Sequence, residues 1–448
     1  MESLGGDDAA VDPGSPTVAT AGREVPAVDT GAALAELPRP TVAWSENGRQ
    51  VVAGGSAVTV TADGADRFET VKRAGQDLFA EGIVPSSLPE FARPALFGGF
   101  AFHERDNADG DSPWTGFPDA QFVLPAVLAV TPEGGRPWVV ACATGPNAED
   151  RAGSRLETWA ERLAAATSPG VGSPPGVNSR TFTPDEAGWH EQVEAAVDRI
   201  RSGALRKVVL AQAQTVELER SVSVPVVYGR LRETYPDCFR FLVAPDGGGQ
   251  FFGATPERLV SRDGRTVRTD ALAGSTGRGD TPAEDEWLAR ELQESEKDRH
   301  EHELVVEAIK DQLEPYATSI STGDRTVRRL ETVQHLRTPV TADLAEDNHV
   351  LTLVEALHPT PAVGGLPPDV ALRTIEETEA FERGWYASPV GWFDAAGNGT
   401  FAVAIRSAVA TDRRATLFAG NGIVADSDPD REWDEVQLKY RPVLDALE

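Results

Sequence analysis

Residues 415–443 read ATLFAGNGIVADSDPDREWDEVQLKYRPV and predict a β-strand followed directly by an α-helix. The apolar run at the start ends in glycines, which is typical of a strand. Ser427 can cap the helix, Pro429 suits its first turn, and acidic residues favour its positive end. Similar strands and helices alternate along the chain without a regular βαβ repeat, so the sequence predicts an α+β fold.

Charged residues occupy the face of this last helix that should be apolar. Glu432, Glu435, Val436, Lys439 and Val443 follow one another at helical spacing, so two carboxylates and an ammonium share a face with core valines. A solvated stripe of salt bridges would show the same spacing. The alternative is that these charges point into a functional cavity.

A second helix, predicted to start near Ser295, repeats the pattern. Glu301 shares a face with Leu304, Val305 and Ala308, which directs its carboxylate inward. A buried carboxylate is costly unless a cation meets it. Two helices that each direct a Glu inward can share a divalent ion through oxygen ligands, as Mg²⁺ prefers. Pairing of either Glu with a buried Arg is the competing interpretation.

The composition restricts the possible partners. The 448 residues include 71 Asp and Glu against 42 Lys and Arg, which gives a net charge of −29. A surface this negative repels nucleic acid and anionic membranes, so neither is an expected partner. Acid excess with only five lysines is typical of proteins kept soluble in concentrated salt. We therefore expect a halophile's cytoplasmic protein, without signal peptide, membrane span or disulfides.

Lysine scarcity makes Lys207 conspicuous. It begins the apolar strand Lys207-Val-Val-Leu-Ala211, although arginine replaces lysine nearly everywhere else. Arginine does not lose its proton, whereas a partly desolvated lysine can act as a base. The alternative is a surface residue at the end of a strand.

The chain divides into three parts. Residues 1–30 have no periodicity and are predicted to be a flexible acidic leader. Residues 31–179 are rich in strand signals, with a helix predicted at 147–166, and end in a Pro/Gly/Ser loop at 167–179. Residues 180–448 form the predicted catalytic core.

Ten motifs in order resemble the chorismate-utilising enzymes. This family includes isochorismate synthases, salicylate synthases, anthranilate synthase large components and aminodeoxychorismate synthases. The resemblance is dense from 183 to 446, and a weaker stretch at 97–125 is similar to menaquinone-type isochorismate synthases. The motifs are Lys207-Val-Val-Leu-Ala211, Gly253-Ala-Thr-Pro-Glu-Arg-Leu259, Ala271-Leu-Ala-Gly-Ser275, Lys297-Asp-Arg-His-Glu-His302, Gln334-His-Leu336, Leu357-His-Pro-Thr-Pro-Ala362, Tyr386-Ala-Ser-Pro-Val-Gly391, Ala404-Ile-Arg-Ser407, Ala419-Gly-Asn-Gly-Ile-Val424 and Glu432-Trp-Asp-Glu-Val-Gln-Leu-Lys439.

The resemblance implies one large domain similar to anthranilate synthase component I. Two β-sheets would pack together with helices outside and the site in a cleft, which makes 167–179 a surface loop. The family's Mg²⁺ ligands fall on Glu301 and Glu435, with Glu432 reaching the ion through water. Family positions that bind the substrate, chorismate, fall on Gly274, Ser275, His335, Thr360, Tyr386, Arg406, Gly420, Gly422 and Lys439. For His335, a hydrogen-bonded core histidine is the alternative.

Two positions favour isochorismate synthase within the family. Aminodeoxychorismate synthases of the covalent type have Lys where this chain has Ala273, and anthranilate synthases carry another residue at position 207. The resemblance therefore implies that water is the nucleophile, with Lys207 as its base and Glu257 as the acid that protonates the departing C4 hydroxyl. No glutaminase subunit is expected, and the chain should be a monomer or a homodimer.

Three alternatives and three departures accompany this prediction. A salicylate synthase, an anthranilate synthase component I and an inactive chorismate-binding partner subunit remain possible readings of the same motifs. Gln212, Ser388 and Asn421 replace the family's usual Arg, Gly and Ala, and each could reshape the pocket. Menaquinone synthesis is the expected pathway.

Overall fold

Short apolar runs bounded by Gly and Pro form the strands, and segments of helical periodicity form the helices. The computed structural model describes residues 18–46, 48–80, 82–104, 112–167, 172–331 and 333–448. Within these ranges no helix is long and apolar enough to cross a membrane. The described helices are α1 Thr30–Glu36, α2 Arg67–Ala80, α3 Ala148–Ala165, α4 Glu186–Arg201, α5 Val224–Thr234, α6 Pro282–Glu294, α7 Glu296–Leu313, α8 Val350–Leu357, α9 Pro368–Thr378 and α10 Pro429–Leu447.

The strands carry most of the buried apolar surface. They are β1 Val18–Glu24, β2 Thr41–Glu46, β3 Arg49–Ala62, β4 Ala95–Phe100, β5 Ala120–Thr131, β6 Trp138–Thr144, β7 Val177–Thr183, β8 Lys207–Leu218, β9 Phe239–Ala244, β10 Gln250–Thr255, β11 Arg258–Asp263, β12 Thr266–Gly277, β13 Ala317–Thr322, β14 Thr326–Arg329, β15 Val333–Leu344, β16 Gly365–Leu366, β17 Pro389–Asp394, β18 Gly399–Val403, β19 Ser407–Thr411 and β20 Arg414–Ile423.

These strands pair antiparallel in one hydrogen-bonded network, which branches at β5. One arm runs from β5 through β3, β2, β9, β10, β19 and β20 to β8. The other runs from β5 through β4, β17, β18, β11 and β12 to β15. The predicted single α+β domain is confirmed. Its two predicted sheets correspond to the two arms joined through β5, and β6 with β1 forms a short third branch from the same strand.

The far ends of the two arms carry the functional side chains. In one arm, β20 pairs with β8 so that Gly422 lies opposite Val209. In the other, Ser275 of β12 lies opposite His335 of β15, and the register shifts between Ala273 and Ser275. Gly274 makes this bulge with a φ of 71°, a conformation that glycine adopts without steric cost. Helix α7 packs on β12 and helix α10 on β20.

The predicted flexible leader is wrong for residues 18–30, whereas residues 1–17 lie outside the described residues. Residues 18–24 form β1, which pairs along its whole length with β6. The small residues of this strand show little alternation of apolar and polar side chains, so the sequence pattern did not predict a strand here. Its main-chain hydrogen bonds to β6, and burial of Val18 and Ala19, hold it in place.

One local prediction also needs correction. Asp428, rather than Ser427, caps α10: its Oδ1 accepts a hydrogen bond from the Arg431 N–H at 3.2 Å. Ser427 accepts from the Val424 N–H at 3.1 Å instead, because it closes the turn before the helix. Strands β18 and β19 are separated by residues 404–406, where Arg406 has a φ of 53°.

The loop predicted at 167–179 connects α3 to β7, although residues 168–171 are outside the described ranges. Strand β7 already begins at Val177 and pairs with β8. The N-terminal part and the core therefore share one network of strands. Helix α3, predicted at 147–166, is present at Ala148–Ala165.

Gly384 provides a test of how tightly the N-terminal part packs on the core. Its φ is 52°, and an added Cβ would overlap the indole of buried Trp114. Gly264 has a φ of 56° and open space around it, so it is a matched control. Both alanine variants lose stability because alanine disfavours a left-handed backbone. Only Gly384→Ala also places a methyl group into space that Trp114 already fills.

We predict that Gly384→Ala lowers the free energy of unfolding by about 1–3 kcal/mol more than Gly264→Ala does. Denaturant unfolding of both variants measures this difference. Equal losses in the two variants would contradict the packing described here.

Candidate active site

A cavity of about 200 Å³ lies where the ends of the two arms meet. Its walls come from β8 and β20 on one side, β12 and β15 on the other, and helices α7 and α10. Thirteen of the fourteen predicted site residues line it: Lys207, Glu257, Gly274, Ser275, Glu301, His335, Tyr386, Arg406, Gly420, Gly422, Glu432, Glu435 and Lys439. Side chains from sequence positions more than 200 residues apart thus converge on one space.

Thr360 is the exception among the predicted residues. It is buried but does not line the cavity, whereas Ala362 and Val363 of the same segment do. The Thr360 carbonyl accepts hydrogen bonds from the Val363 and Gly364 N–H groups, at 3.1 and 2.9 Å. This turn presents the next residues to the cavity in its place.

Lys207 and Glu301 form a buried ion pair across the two arms. The Lys207 Nζ lies 2.8 Å from the Glu301 Oε1. Burial raises the pKa of Glu301, but the Lys207 ammonium outweighs it and holds that pKa below its usual range. Gly422 makes room for the pair, since a Cβ there would lie 2.7 Å from the Lys207 Cε. The inward direction predicted for Glu301 is therefore what the structure shows, with lysine rather than arginine as its partner.

Glu435 and Lys439 form a second pair, one turn apart on α10. The Lys439 Nζ lies 2.9 Å from the Glu435 Oε1, and Ser275 donates to the same oxygen at 2.9 Å. Burial raises the pKa of Glu435, but Lys439 and Ser275 reverse this and bring it to about 2. The solvated stripe that the helix pattern also allowed is excluded, because Glu432, Glu435 and Lys439 all line the cavity, although the Glu435 side chain is still 37% exposed.

The negative charge of the third carboxylate, Glu432, is less well compensated by neighbouring cations. Burial and the neighbouring Glu435 charge both raise the pKa of Glu432. The described residues contain no group of three or more preassembled metal ligands. The predicted set needs only two direct ligands, Glu301 and Glu435. Negative charge concentrated on hard oxygen atoms at one end of a cavity fits a divalent cation such as Mg²⁺.

Glu257 lies on the turn between β10 and β11. Its backbone N–H donates to the Thr255 Oγ1 at 3.2 Å, and its carbonyl accepts from the Val403 N–H at 3.0 Å. Burial raises the pKa of Glu257 to about 7, although the charges of Lys207 and Arg406 act in the opposite direction. A carboxylic acid of this pKa can hold a proton near neutrality and release it.

Arg406 is a buried cation that forms no ion pair among the described residues. The residue is 6% exposed, and within the same part of the chain its Nη1 has no hydrogen-bond partner. Its φ of 53° shows that the backbone is strained to place it there. An arginine desolvated to this degree requires an anion, and a bidentate carboxylate is the best match.

Two neutral groups flank Arg406. Burial, together with the charges of Arg406 and Lys439, lowers the pKa of His335 to about 3, so its imidazole is uncharged at neutral pH. Burial raises the pKa of Tyr386, so its hydroxyl stays protonated, and its ring stacks on Phe418 with centroids 5.3 Å apart. Both can donate hydrogen bonds to an anion without adding charge.

Sequence reasoning missed several lining residues, among them Lys297, Asp298, Arg383 and Phe418. Lys297 and Asp298 stand inside one of the quoted motifs, and three of the chain's five lysines line the cavity. The positions of the five lysines therefore indicated more of the cavity than Lys207 alone did. The three departures, Gln212, Ser388 and Asn421, do not line the cavity.

Comparison with known proteins agrees with the geometry. Residues 9–448 match the family described as "Chorismate binding enzyme". The salicylate biosynthesis isochorismate synthase of Pseudomonas aeruginosa is 38% identical over 91% of this chain and 85% of its own length. Isochorismate synthase MenF of Bacillus subtilis is 36% identical over 85% of this chain and 80% of its own length.

Solved structures are similar to this chain over nearly its whole length. The menaquinone-specific isochorismate synthase MenF from Escherichia coli has a TM-score of 0.81 at 26% identity, covering 97% of this chain and 95% of its own. Anthranilate synthase component I from Streptococcus pneumoniae shares the fold, with a TM-score of 0.71 at 22% identity. The family match extends over nearly the whole chain, and the cavity has the composition described above. The protein therefore belongs to the family of chorismate-binding enzymes.

Proposed function

We propose that the chain is an isochorismate synthase, which converts chorismate to isochorismate reversibly. The observation that carries the proposal is one cavity that contains a buried lysine, a carboxyl group of raised pKa and a buried arginine that forms no ion pair among the described residues. Several relatives at 36–38% identity carry the name isochorismate synthase. An active enzyme is favoured over an idle partner subunit, because both acid–base positions are occupied.

Arg406 is the proposed anchor for a carboxylate of chorismate, which is a dianion. It is the buried cation of the cavity that the described contacts leave uncompensated. In comparison, the three N–H donors of Lys439 are already occupied, because they bind Glu435, the Gly420 carbonyl and Asn421. Tyr386 and His335 supply neutral donors, and Gly274, Ser275, Gly420 and Gly422 keep the walls small enough for the ring.

Lys207 and Glu257 divide the proton transfers between them. Lys207 must first give up the proton that it holds in the ion pair with Glu301, and the resulting neutral amine accepts a proton from the water that attacks C2 of the ring. Glu257 donates its proton to the C4 hydroxyl, which leaves as water while the double bonds shift. Together the two transfers leave the summed charge of Lys207 and Glu257 unchanged, because the lysine gains a positive charge as the glutamate gains a negative one. Release of a proton from Lys207 to solvent and uptake of one by Glu257 then restore both residues for the next turnover. Since water is the nucleophile, no glutaminase subunit is needed.

Glu301 and Glu435 would hold Mg²⁺ directly, with Glu432 through water. When bound, the ion supplies positive charge that orients and neutralises the ring carboxylate. The same glutamates keep other anions away from this end of the cavity. Menaquinone synthesis remains the proposed pathway.

The product distinguishes this proposal from a salicylate synthase, which would eliminate pyruvate from isochorismate held in place. We expect chorismate, enzyme and Mg²⁺ to reach an equilibrium of chorismate and isochorismate, detected by chromatography. Isochorismate supplied alone should run back to chorismate. Pyruvate and fluorescent salicylate formed in step with chorismate loss would overturn the proposal.

Removal of either proton-transfer group should abolish turnover. We predict that Lys207→Ala and Glu257→Gln each lose about 10²–10⁴-fold in rate, while chorismate still binds. Initial rates and equilibrium binding measure the two effects separately. Lys310→Ala, which removes an exposed lysine paired with Glu307 on α7, is the control and should keep the wild-type rate. Near-normal rates in either cavity variant would refute the assignment.

The raised pKa of Glu257 predicts a pH-dependent stability. The folded protein holds this proton up to about pH 7, whereas the unfolded chain releases it near 4.5. The folded state therefore binds more protons between these values, and its stability falls as the pH rises through that window. Glu257→Gln keeps the shape of the protonated acid and removes the titration.

We expect the unfolding free energy of the wild type, relative to Glu257→Gln, to fall by about 3 kcal/mol between pH 4.5 and 8. Denaturant titrations with chelator present measure it. A difference that does not change with pH would show that Glu257 is ionised in the folded protein near neutrality.

The metal proposal predicts that exhaustive chelation stops turnover and that added Mg²⁺ restores it. Glu301→Ala and Glu435→Ala should raise the half-saturating Mg²⁺ concentration at least tenfold while the protein stays folded. Glu303→Ala is the control, because Glu303 lies on the same helix but pairs with Arg325 outside the cavity. Full activity in chelator would contradict the proposal.

A further inference from the structure

Asn421 is buried between the two glycines of β20, behind the cavity wall. Its side chain is 1% exposed and does not line the cavity. The amide Nδ2 donates to the Glu432 Oε2 at 3.0 Å and to the Glu432 carbonyl at 2.7 Å. The amide Oδ1 accepts from the Lys439 Nζ at 2.6 Å. One side chain therefore joins two charged groups of opposite sign on α10.

Only an amide of this length suits both partners. The donor end must face a carboxylate and the acceptor end must face an ammonium, so the neighbours fix its orientation. An aspartate here would repel Glu432, and an alanine would leave both charged groups short of a buried hydrogen bond. The residue thus matches its surroundings in charge, polarity and reach.

Asn421 also determines what Lys439 can do. An ammonium has three N–H donors, and those of Lys439 go to the Glu435 Oε1, the Gly420 carbonyl and Asn421. While Asn421 occupies one donor, that donor cannot bind a further carboxylate oxygen of Glu435 or Glu432. Those oxygens then stay available for another cation.

We propose that Asn421 is a positioning residue that sets the affinity of the cavity for a divalent cation, by orienting Glu432 and by restraining Lys439. The inference rests on the proposed function, which assigns the cation to Glu301, Glu435 and Glu432. Hydrogen-bond partners that orient ligands of a metal typically change its affinity by about 10–100-fold when removed. Loss of Asn421 frees the Lys439 donor to compete with the cation and removes one of two side-chain hydrogen bonds that orient Glu432, leaving the one from Ser427.

Binding of Mn²⁺ alone to the chelator-treated protein tests the proposal without a measurement of turnover. Electron paramagnetic resonance of free Mn²⁺ gives the dissociation constant for the wild type, Asn421→Ala and Asn421→Ser. Serine keeps a polar atom but cannot reach both partners, and it serves if the alanine variant does not fold. Glu301→Ala identifies binding at the cavity.

Asn398→Ala is the matched control for the loss of a structural amide. Asn398 accepts from the Gly264 N–H at 2.9 Å and from Arg262 at 3.3 Å, in the turn between β17 and β18. Thermal unfolding of all variants separates stability from affinity. We expect Mn²⁺ to bind at least about tenfold more weakly to both Asn421 variants and unchanged to Asn398→Ala.

Unchanged Mn²⁺ affinity in the Asn421 variants, even with lowered stability, would show a purely structural role and overturn the inference. Weakening of equal size in Asn398→Ala would do the same. Wild-type protein that binds Mn²⁺ no better than Glu301→Ala would overturn the metal assignment itself, and the inference with it.

Discussion

Pairing of buried charges in one cavity is the constraint on which the rest of the structure depends. Desolvated ions must meet opposite charges or hydrogen bonds, or the folded state loses several kcal/mol for each of them. Lys207 pairs with Glu301 and Lys439 with Glu435, at 2.8 and 2.9 Å. Arg406 is left without such a partner in the described residues. Within the described residues these two pairs are complete, and the proposed function assigns the buried Arg406 to an anionic substrate.

The branched strand network makes this concentration of charge possible. Lys207 comes from one arm, Ser275 from the other, and the glutamates come from helices packed on each arm. Because the described strands of both arms pair antiparallel in a defined register, the far ends of the arms bring these groups to fixed positions. Glycine at 274 and 422 supplies the bulge and the space that bulkier residues would remove. The fold and the site therefore depend on the same geometric requirement, the register in which the strands pair.

Much of this was predictable from the sequence. Inward charges on α7 and α10 departed from helical periodicity, and scarce lysine marked Lys207. Five site residues therefore followed from a broken local rule, and the others from the resemblance to chorismate-utilising enzymes. Strand β1 was not predictable, because main-chain pairing rather than side-chain pattern stabilises it. The break at Arg406 was also hidden, since a positive φ in a non-glycine residue has no sequence signature. The high-salt habitat and the cytoplasmic location stay predictions from composition.

The central claim is that Lys207 activates water against C2 while Glu257 releases the C4 hydroxyl as water. Turnover in H₂¹⁸O followed by mass spectrometry of the product tests it most directly. The account predicts one solvent oxygen in isochorismate, at the C2 hydroxyl, and label at C4 of the chorismate recovered at equilibrium. Isochorismate that retains only the oxygen atoms of the starting chorismate would contradict it, because the hydroxyl would then have migrated within the substrate.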